Sequence, residues 1–237
     1  MTSIVIGASS TIAQAVINQL LESGQYVHAI SQHPRPNNSI SENLHWWVCH
    51  YGEHHIDELV DVLAGEIREN IEHVIICNGQ LHADGINVEK KLDDIQEASF
   101  HQILNSNALI PTLWLRSLLP LLRKQHTKIA VFSARVGSIG DNRLGGWYSY
   151  RASKAALNML LKTAAIEYAR SAKGVKLVAF HPGTTDTPLS KPFQANVPED
   201  KLFTPEFVAS QLLDILETKH ADGELSFVDW DGKDITW

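Results

Sequence analysis

The chain has 237 residues, 44% hydrophobic and 20% charged, with 20 Lys+Arg against 27 Asp+Glu and a formal charge of −7. That is the make-up of one acidic globular domain, and the deficit of basic charge excludes nucleic acid or an anionic membrane surface as the main partner. No apolar run reaches the roughly 18 residues that span a bilayer, the opening MTSIVIGASS carries no basic segment of the kind a signal peptide needs, and two cysteines, Cys49 and Cys77, are too few for a disulfide scaffold, so the expected location is a reducing cytoplasm.

Short β-branched runs alternate with longer segments of helical spacing from end to end, the pattern of βαβ units around a parallel sheet. The first predicted strand, Ser3–Ile6, leads through Gly7-Ala8-Ser9-Ser10-Thr11-Ile12-Ala13 into a helix with Ile12, Val16, Ile17, Leu20 and Leu21 on one face. Gly24 stands where a C′ glycine ends such a helix. A strand–Gly–helix junction aims backbone N–H groups and the positive helix end at an anion, which suits a pyrophosphate. Of the glycines expected for a dinucleotide turn only Gly7 is present. Ala13 is acceptable for helix–sheet packing, Thr11 crowds the phosphate approach, and Ser9, Ser10 and Thr11 offer hydroxyls in return. By itself the segment also reads as a turn that starts a helix.

The second predicted strand, Tyr26–Ile30, ends in Ser31-Gln32-His33, with no Asp or Glu to read a ribose 2′-hydroxyl. This leans towards NADP(H) over NAD(H), with Ser31 at the strand end and Arg35 as the nearest partner for a 2′-phosphate. His33–Ser41 reads as a loop. Strands Leu44–Val48 and His73–Cys77 follow; in a 3-2-1-4 order they lie about 14 Å apart, beyond the roughly 7 Å between bridged Cα atoms, so Cys49 and Cys77 are expected as free thiols. Between them Cys49, His50, His54 and His55 have metal-ligand chemistry. No further ligand is placed by the sequence, and a solvated loop and helix start is the reading adopted, with no metal.

Further on, Cys77-Asn78-Gly79 makes a strand-end turn, Lys128–Phe132 a strand, and Ala155–Tyr168 a helix rich in Ala and Leu without Gly or Pro. Tyr148-Ser149-Tyr150-Arg151-Ala152-Ser153-Lys154 starts that helix and sets Tyr150 and Lys154 one turn apart on one face. Strand Val175–Phe180 is followed by Pro182-Gly183 and by a polar, Pro-containing stretch, Thr184–Pro198, long enough to be a lid over the carboxyl ends of the strands. Glu224–Val228 is the seventh predicted strand. The fold expected is therefore α/β, a single Rossmann-type doubly wound domain of about seven parallel strands.

GASSTIA, Cys77-Asn78-Gly79, Asn107, the Tyr150/Lys154 pair and Pro182-Gly183-Thr184-Thr185-Asp186-Thr187, in this order over the whole chain, resemble the short-chain dehydrogenase/reductase family. The closing Gly223 to Trp237 stretch, with Asp229-Trp230-Asp231-Gly232, looks like its C-factor-like branch of carbonyl reductases. The resemblance implies an NAD(P)(H)-dependent oxidoreductase that transfers hydride between nicotinamide and a carbonyl or secondary alcohol. It implies Tyr150 as general acid/base, Lys154 lowering its pKa and binding the ribose, and Asn107 holding a water. For the cofactor it implies Gly7, Ser9, Ser10, Thr11, Ile12, Ser31, Asn78, Gly79, Tyr150, Lys154, Pro182, Gly183, Thr185 and Thr187. A phenol of pKa about 10 needs about 4 kcal/mol of help near neutrality, close to what a lysine ammonium about 4 Å away supplies at an effective dielectric near 20. A homodimer or homotetramer is implied as well, through the helices of Asn107 and Tyr150, where Ala155, Ala156, Ala164 and Ala165 would allow close approach.

The chain departs from this pattern in two places. His50 stands where the family has an adenine-reading Asp. Counting from Phe132 to Gly137, the catalytic serine position is Ala134; Ser133, on the other side of an alternating strand, is read as structural. Ser138, twelve residues before Tyr150, is the candidate substitute donor. Two functions are thus carried forward: an NAD(P)(H)-dependent reductase or dehydrogenase, and a dinucleotide-binding protein with weak or no catalysis that acts in interaction or signalling. Trp147, Tyr148, Leu189 and Phe193 are expected to line an apolar pocket for a small hydrophobic carbonyl or alcohol.

Overall fold

The computed structural model describes residues 1–36, 41–83 and 85–237. Seven strands, β1 (Thr2–Ile6), β2 (Tyr26–Ser31), β3 (Leu44–Val48), β4 (Ile71–Ile76), β5 (Lys128–Phe132), β6 (Lys176–His181) and, at the far edge, β9 (Leu225–Asp229), form one parallel sheet in the order β3-β2-β1-β4-β5-β6-β9. A short pair, β7 (Thr184–Thr185) and β8 (Leu202–Phe203), stands outside it. The helices are α1 (Thr11–Glu22), α2 (Glu53–Glu66), α3 (Glu97–Leu104), α4 (Ile110–Leu122), α5 (Tyr148–Ser171) and α6 (Pro205–Thr218). None of them is long and apolar enough to cross a membrane.

Both faces of the sheet are covered, which is why its strands are near-continuous apolar runs. Alternation sorts them: Ile4, Ile6, Val74, Ile76, Ile129 and Val131 pack on the side of Ile56, Trp114 and Leu157 from α2, α4 and α5. Val5, Ile75, Ala130 and Phe132 pack with Val16 and Leu212 from α1 and α6 on the other. The predicted α1 face holds, with Val16, Ile17 and Leu20 buried and Ile12 and Leu21 packed at its margin. Ser10 caps the helix by accepting from Ala13 N at 3.3 Å, and Gly24 follows the C-cap at φ +79. Cys49 and Cys77 are free thiols.

Several boundaries differ from the sequence reading. The long helix begins at Tyr148, as read, but continues past Tyr168 to Ser171, because no Gly or Pro interrupts it before Gly174. Thr184–Pro198 is less irregular than a loop: it opens with β7 and holds a 3₁₀ turn over Lys191–Asn196. Of the predicted loop His33–Ser41, residues 37–40 lie outside the described residues. Ala165 is buried and Ala156 and Ala164 pack against the core, so these small side chains face inward; the outward side of α5 presents Met159, Leu160 and Ile166.

Candidate active site

The chain reverses direction across the sheet between β1 and β4, and the crevice at such a switch point, past the carboxyl ends of the strands, is where open α/β sheets bind ligands. Two adjoining cavities lie there. The first, of about 300 Å³, is walled by Ser9, Ser10, Thr11 and Ile12 at the start of α1, by Cys77, Asn78 and Gly79 after β4, and by Phe132, Lys154, Pro182 and Thr187. The second, of about 320 Å³, is walled by Leu81, Ala134, Val136, Trp147, His181, Gly183, Thr185 and by Leu189, Phe193 and Val197 of the 184–198 segment. Tyr150 is on the wall of both.

The turn after β1 is built for close approach. Gly7 has φ +77, and a Cβ there would lie 3.1 Å from the carbonyl carbon of Cys77 and 3.2 Å from Asn78 N. Its own N–H is engaged, donating to Ile30 O at 3.0 Å and to the Tyr51 hydroxyl at 3.1 Å, while that hydroxyl donates to Ile30 O at 3.2 Å. Tyr51, buried edge-on against Trp114, thus clamps the turn from below; nothing in its sequence surroundings signals this. What remains open to the first cavity are the first turn of α1, the hydroxyls of Ser9, Ser10 and Thr11, and Asn78, whose buried Oδ1 has no hydrogen-bond partner among the described residues. An N-terminal helix turn, hydroxyls and a buried lysine as donors, with an orphaned amide oxygen as acceptor, fit a nicotinamide dinucleotide.

Lys154 is buried and its Nζ donates to Phe132 O at 2.8 Å. Gly79 lies against it: a Cβ there would be in ordinary contact with Nζ, at 3.5 Å. The ammonium stands 5.9 Å from the centre of the Tyr150 ring. Burial pulls Lys154 down to about 7 and pushes the Tyr150 phenol up to about 12. In the protein alone, burial sets the direction of both shifts, each favouring the uncharged form.

Asn107 is fully buried in a π-helical turn, Asn105–Leu109, a distortion common at functional sites. Its side chain is not on either cavity wall. It ties two elements instead, accepting from Gln80 N at 2.6 Å and donating to Gln80 O at 2.8 Å and Ser153 Oγ at 2.9 Å. Ser138 is likewise not brought to the cavities. It follows a 3₁₀ turn, Arg135–Gly137, is 2% exposed, and its Oγ accepts from Asp141 N at 3.1 Å, closing its own loop. Ser133 lines both cavities, but its Oγ is engaged, donating to Asn158 Oδ1 at 2.6 Å. Ala134 stands on the wall of the second. Ser31 is buried and accepts from His33 N at 3.0 Å, away from both cavities. His50 is exposed and packs edge-on to His55 at 5.9 Å. Pro182, Gly183, Thr185 and Thr187 are at the site; Gly183, at φ +71, is held to glycine because a Cβ would be 2.6 Å from the Phe203 ring.

The second cavity is aromatic and apolar. Trp147 and Phe193 lie with ring centres 5.0 Å apart and Trp147 and Tyr150 6.1 Å apart. Of the predicted lining residues, Trp147, Leu189 and Phe193 are present and Tyr148 is not. Trp147 is the one non-glycine residue with positive φ among those described, at +54, and follows left-handed Gly145 and Gly146. Glu89, unsuspected from sequence, holds this turn: its carbonyl accepts from Trp147 N at 2.6 Å and its buried carboxylate accepts from Ser149 N at 3.3 Å and from the Ser149 hydroxyl, capping α5. Left-handed non-glycine residues gather at active sites because the surroundings must fix them.

The chain is 28% identical over 241 residues to 1-hydroxy-2-glutathionyl-2-methyl-3-butene dehydrogenase of Rhodococcus sp. (strain AD45), covering 100% of this chain and 99% of that protein. It is 26% identical to benzil reductase ((S)-benzoin forming) of Bacillus cereus, over 95% of this chain and 98% of the relative. A carbonyl reductase from chicken fatty liver, solved with NADPH bound, superposes with a TM-score of 0.85 at 23% identity, covering 100% of this chain and 98% of that one, a likeness of fold. The family model described as short chain dehydrogenase matches residues 2–198, and the chain belongs to that family.

Proposed function

We propose that the protein is an NAD(P)(H)-dependent carbonyl reductase, with NADP(H) preferred, acting on hydrophobic ketones or aldehydes that carry an aromatic group. The observation that carries this reading is the position of Tyr150 on the wall common to both cavities, one ending at a helix N-terminus and its hydroxyls, the other aromatic. A bound nicotinamide supplies or accepts the hydride. Ser9, Ser10, Thr11, Ile12, Asn78, Gly79, Lys154, Pro182, Thr185 and Thr187 would hold the cofactor, and Gly7 and Gly183 let the backbone approach. No carboxylate ends β2, which favours a cofactor bearing a 2′-phosphate. The benzil reductase relative is named for an aryl diketone, which agrees with the Trp147–Phe193 wall.

Tyr150 protonates the substrate oxygen. Burial keeps the phenol in its acid form at neutral pH, so the site is loaded for reduction. Lys154, donating to Phe132 O, stands beside Tyr150 on the first cavity wall, and Asn107 acts as a positioning residue that fixes the Gln80 loop against α5 through Ser153. Residues 184–198, which give Leu189, Ser190, Phe193 and Val197 to the second cavity, serve as its lid. Ala134 favours the second reading, a dinucleotide-binding protein with little turnover, because the family's serine donor is missing.

The test is NADPH oxidation with a panel of aldehydes, ketones and aryl diketones, alongside NADPH and NADH titrations. Turnover that Tyr150→Phe lowers at least a thousandfold, with NADPH affinity kept, supports the reductase; NADPH binding without turnover of any substrate selects the binder.

A further inference from the structure

We propose that His181 donates the second hydrogen bond to the substrate oxygen, in place of the side-chain donor that Ala134 lacks. The inference rests on the reductase reading above.

A carbonyl oxygen that gains negative charge needs preorganised donors, and loss of one typically lowers the rate 10²–10³-fold. Tyr150 supplies one. On the second cavity wall the hydroxyls of Ser133, Thr185, Thr187 and Ser190 are already committed, to Asn158 Oδ1, Pro182 O, and, for the last two, Thr185 O. His181 is not committed: neither ring nitrogen makes a hydrogen bond among the described residues, Nδ1 being buried without a partner, which leaves Nε2 as the nitrogen free to face the cavity that the residue lines. Native structures rarely leave a buried polar atom unpaired, since each such atom is destabilising.

Its position in the sheet is specific. Phe132 and Phe180 are paired in the parallel ladder of β5 and β6, and Ser133 N donates to Phe180 O at 2.8 Å. His181 therefore ends β6 level with Ser133, one position before Ala134, at the carboxyl end of the sheet, and lines the same cavity as Ala134 and Tyr150. Trp147 and Thr184, whose polar side-chain atoms are also unengaged among the described residues, belong to the loop before α5 and to β7 rather than to this strand end.

Chemistry and charge state agree. Burial and the Arg135 guanidinium hold His181 down to about 4, against a smaller opposing pull from Asp229, so the ring is neutral in the physiological range. A neutral imidazole offers one N–H donor and can polarise a carbonyl without taking part in proton transfer. The bond proposed is a hydrogen bond only; the proton that ends on the product hydroxyl comes from Tyr150.

The test compares His181→Met, of similar bulk without a donor, with His181→Gln, which keeps an amide donor, using benzil and NADPH and, in parallel, NADPH titration and circular dichroism. The expected result is a kcat reduced 10²–10³-fold in His181→Met, within tenfold of wild type in His181→Gln, and an unchanged NADPH Kd in both. Adding Ala134→Ser to His181→Met should recover at least tenfold, more than the same change gains in the wild type. Equal kcat in the Met and Gln variants, whether both high or both low, overturns the inference, as does an equal gain from Ala134→Ser in both backgrounds. If the wild type reduces neither benzil nor any member of the panel, the reductase reading fails and this inference with it; if the wild type turns over and His181→Met matches it, the inference fails alone.

Discussion

Lys154→Met should stabilise the cofactor-free protein while removing its activity, and the gain should depend on pH. The ammonium is 2% exposed and makes one hydrogen bond, to Phe132 O. Burial lowers its pKa from 10.5 to about 7, which at 1.36 kcal/mol per unit corresponds to roughly 5 kcal/mol of penalty on the charged form. Below pH 7 both folded and unfolded chains carry the charge and the whole penalty is present. Between pH 7 and 10.5 the unfolded chain binds a proton that the folded chain does not, so wild-type stability rises with pH; above that window both are neutral and the penalty is gone. Methionine keeps the bulk and removes the charge, losing about 1 kcal/mol of hydrogen bond. The expected gain is about 2–4 kcal/mol at pH 6.5, shrinking towards zero near pH 10. Cys49, raised by burial to about 11, titrates with the opposite sign but is common to both chains and cancels in their difference. Denaturant unfolding of both proteins from pH 6 to 10, without cofactor, reads this directly. A difference that does not change with pH, or a Met variant less stable than wild type at pH 6.5, would refute the reasoning.

Two further substitutions test how the site is held. A Cβ at Gly137 would lie 2.8–2.9 Å from the backbone C, O and the Cβ of Lys154, so Gly137→Ala must displace the turn from α5; a loss of about 1–3 kcal/mol of stability together with a kcat reduced more than tenfold is expected from thermal unfolding and steady-state rates. Tyr51→Phe removes the hydroxyl that accepts from Gly7 N and donates to Ile30 O; unfolding should show a loss of about 1–2 kcal/mol, and fluorescence titration a weaker NADPH affinity with kcat nearly unchanged.

The fold was legible because its signals are local and repeated. Strands buried on both faces need unbroken apolar runs, and Leu44–Val48 and Lys128–Phe132 coincide with their predicted limits. The Tyr150/Lys154 pair was legible for the same reason, since helical spacing alone puts both on one face. What escaped depends on contacts between distant segments. Tyr51 reaches Gly7 across 44 positions and Glu89 reaches Ser149 across 60, and neither partner marks the other in sequence. Ser138 has a suitable spacing to Tyr150, but spacing along a loop does not fix direction, and its hydroxyl turns inward to Asp141 N. His181 carried a usable signal: it is the last strand residue before Pro182-Gly183, at the end of the sheet where ligands bind.

The departures from the family pattern and the titration behaviour point to one physical design. Around the position where a substrate oxygen would sit, Tyr150 is pushed up, and Lys154 and His181 are pulled down, each chiefly by burial. All three shifts favour the uncharged form, so burial works against fixed charge at this wall. In buried surroundings a neutral O–H or N–H is a stronger donor than it would be in water, because solvent competes less and the local dielectric is lower. A serine hydroxyl is one way to supply the second donor; an imidazole held neutral by the same burial is another, and it needs no base to keep it in the donating form. The −7 charge of the whole chain then bears little on this space, whose chemistry rests on orientation and desolvation rather than on net charge.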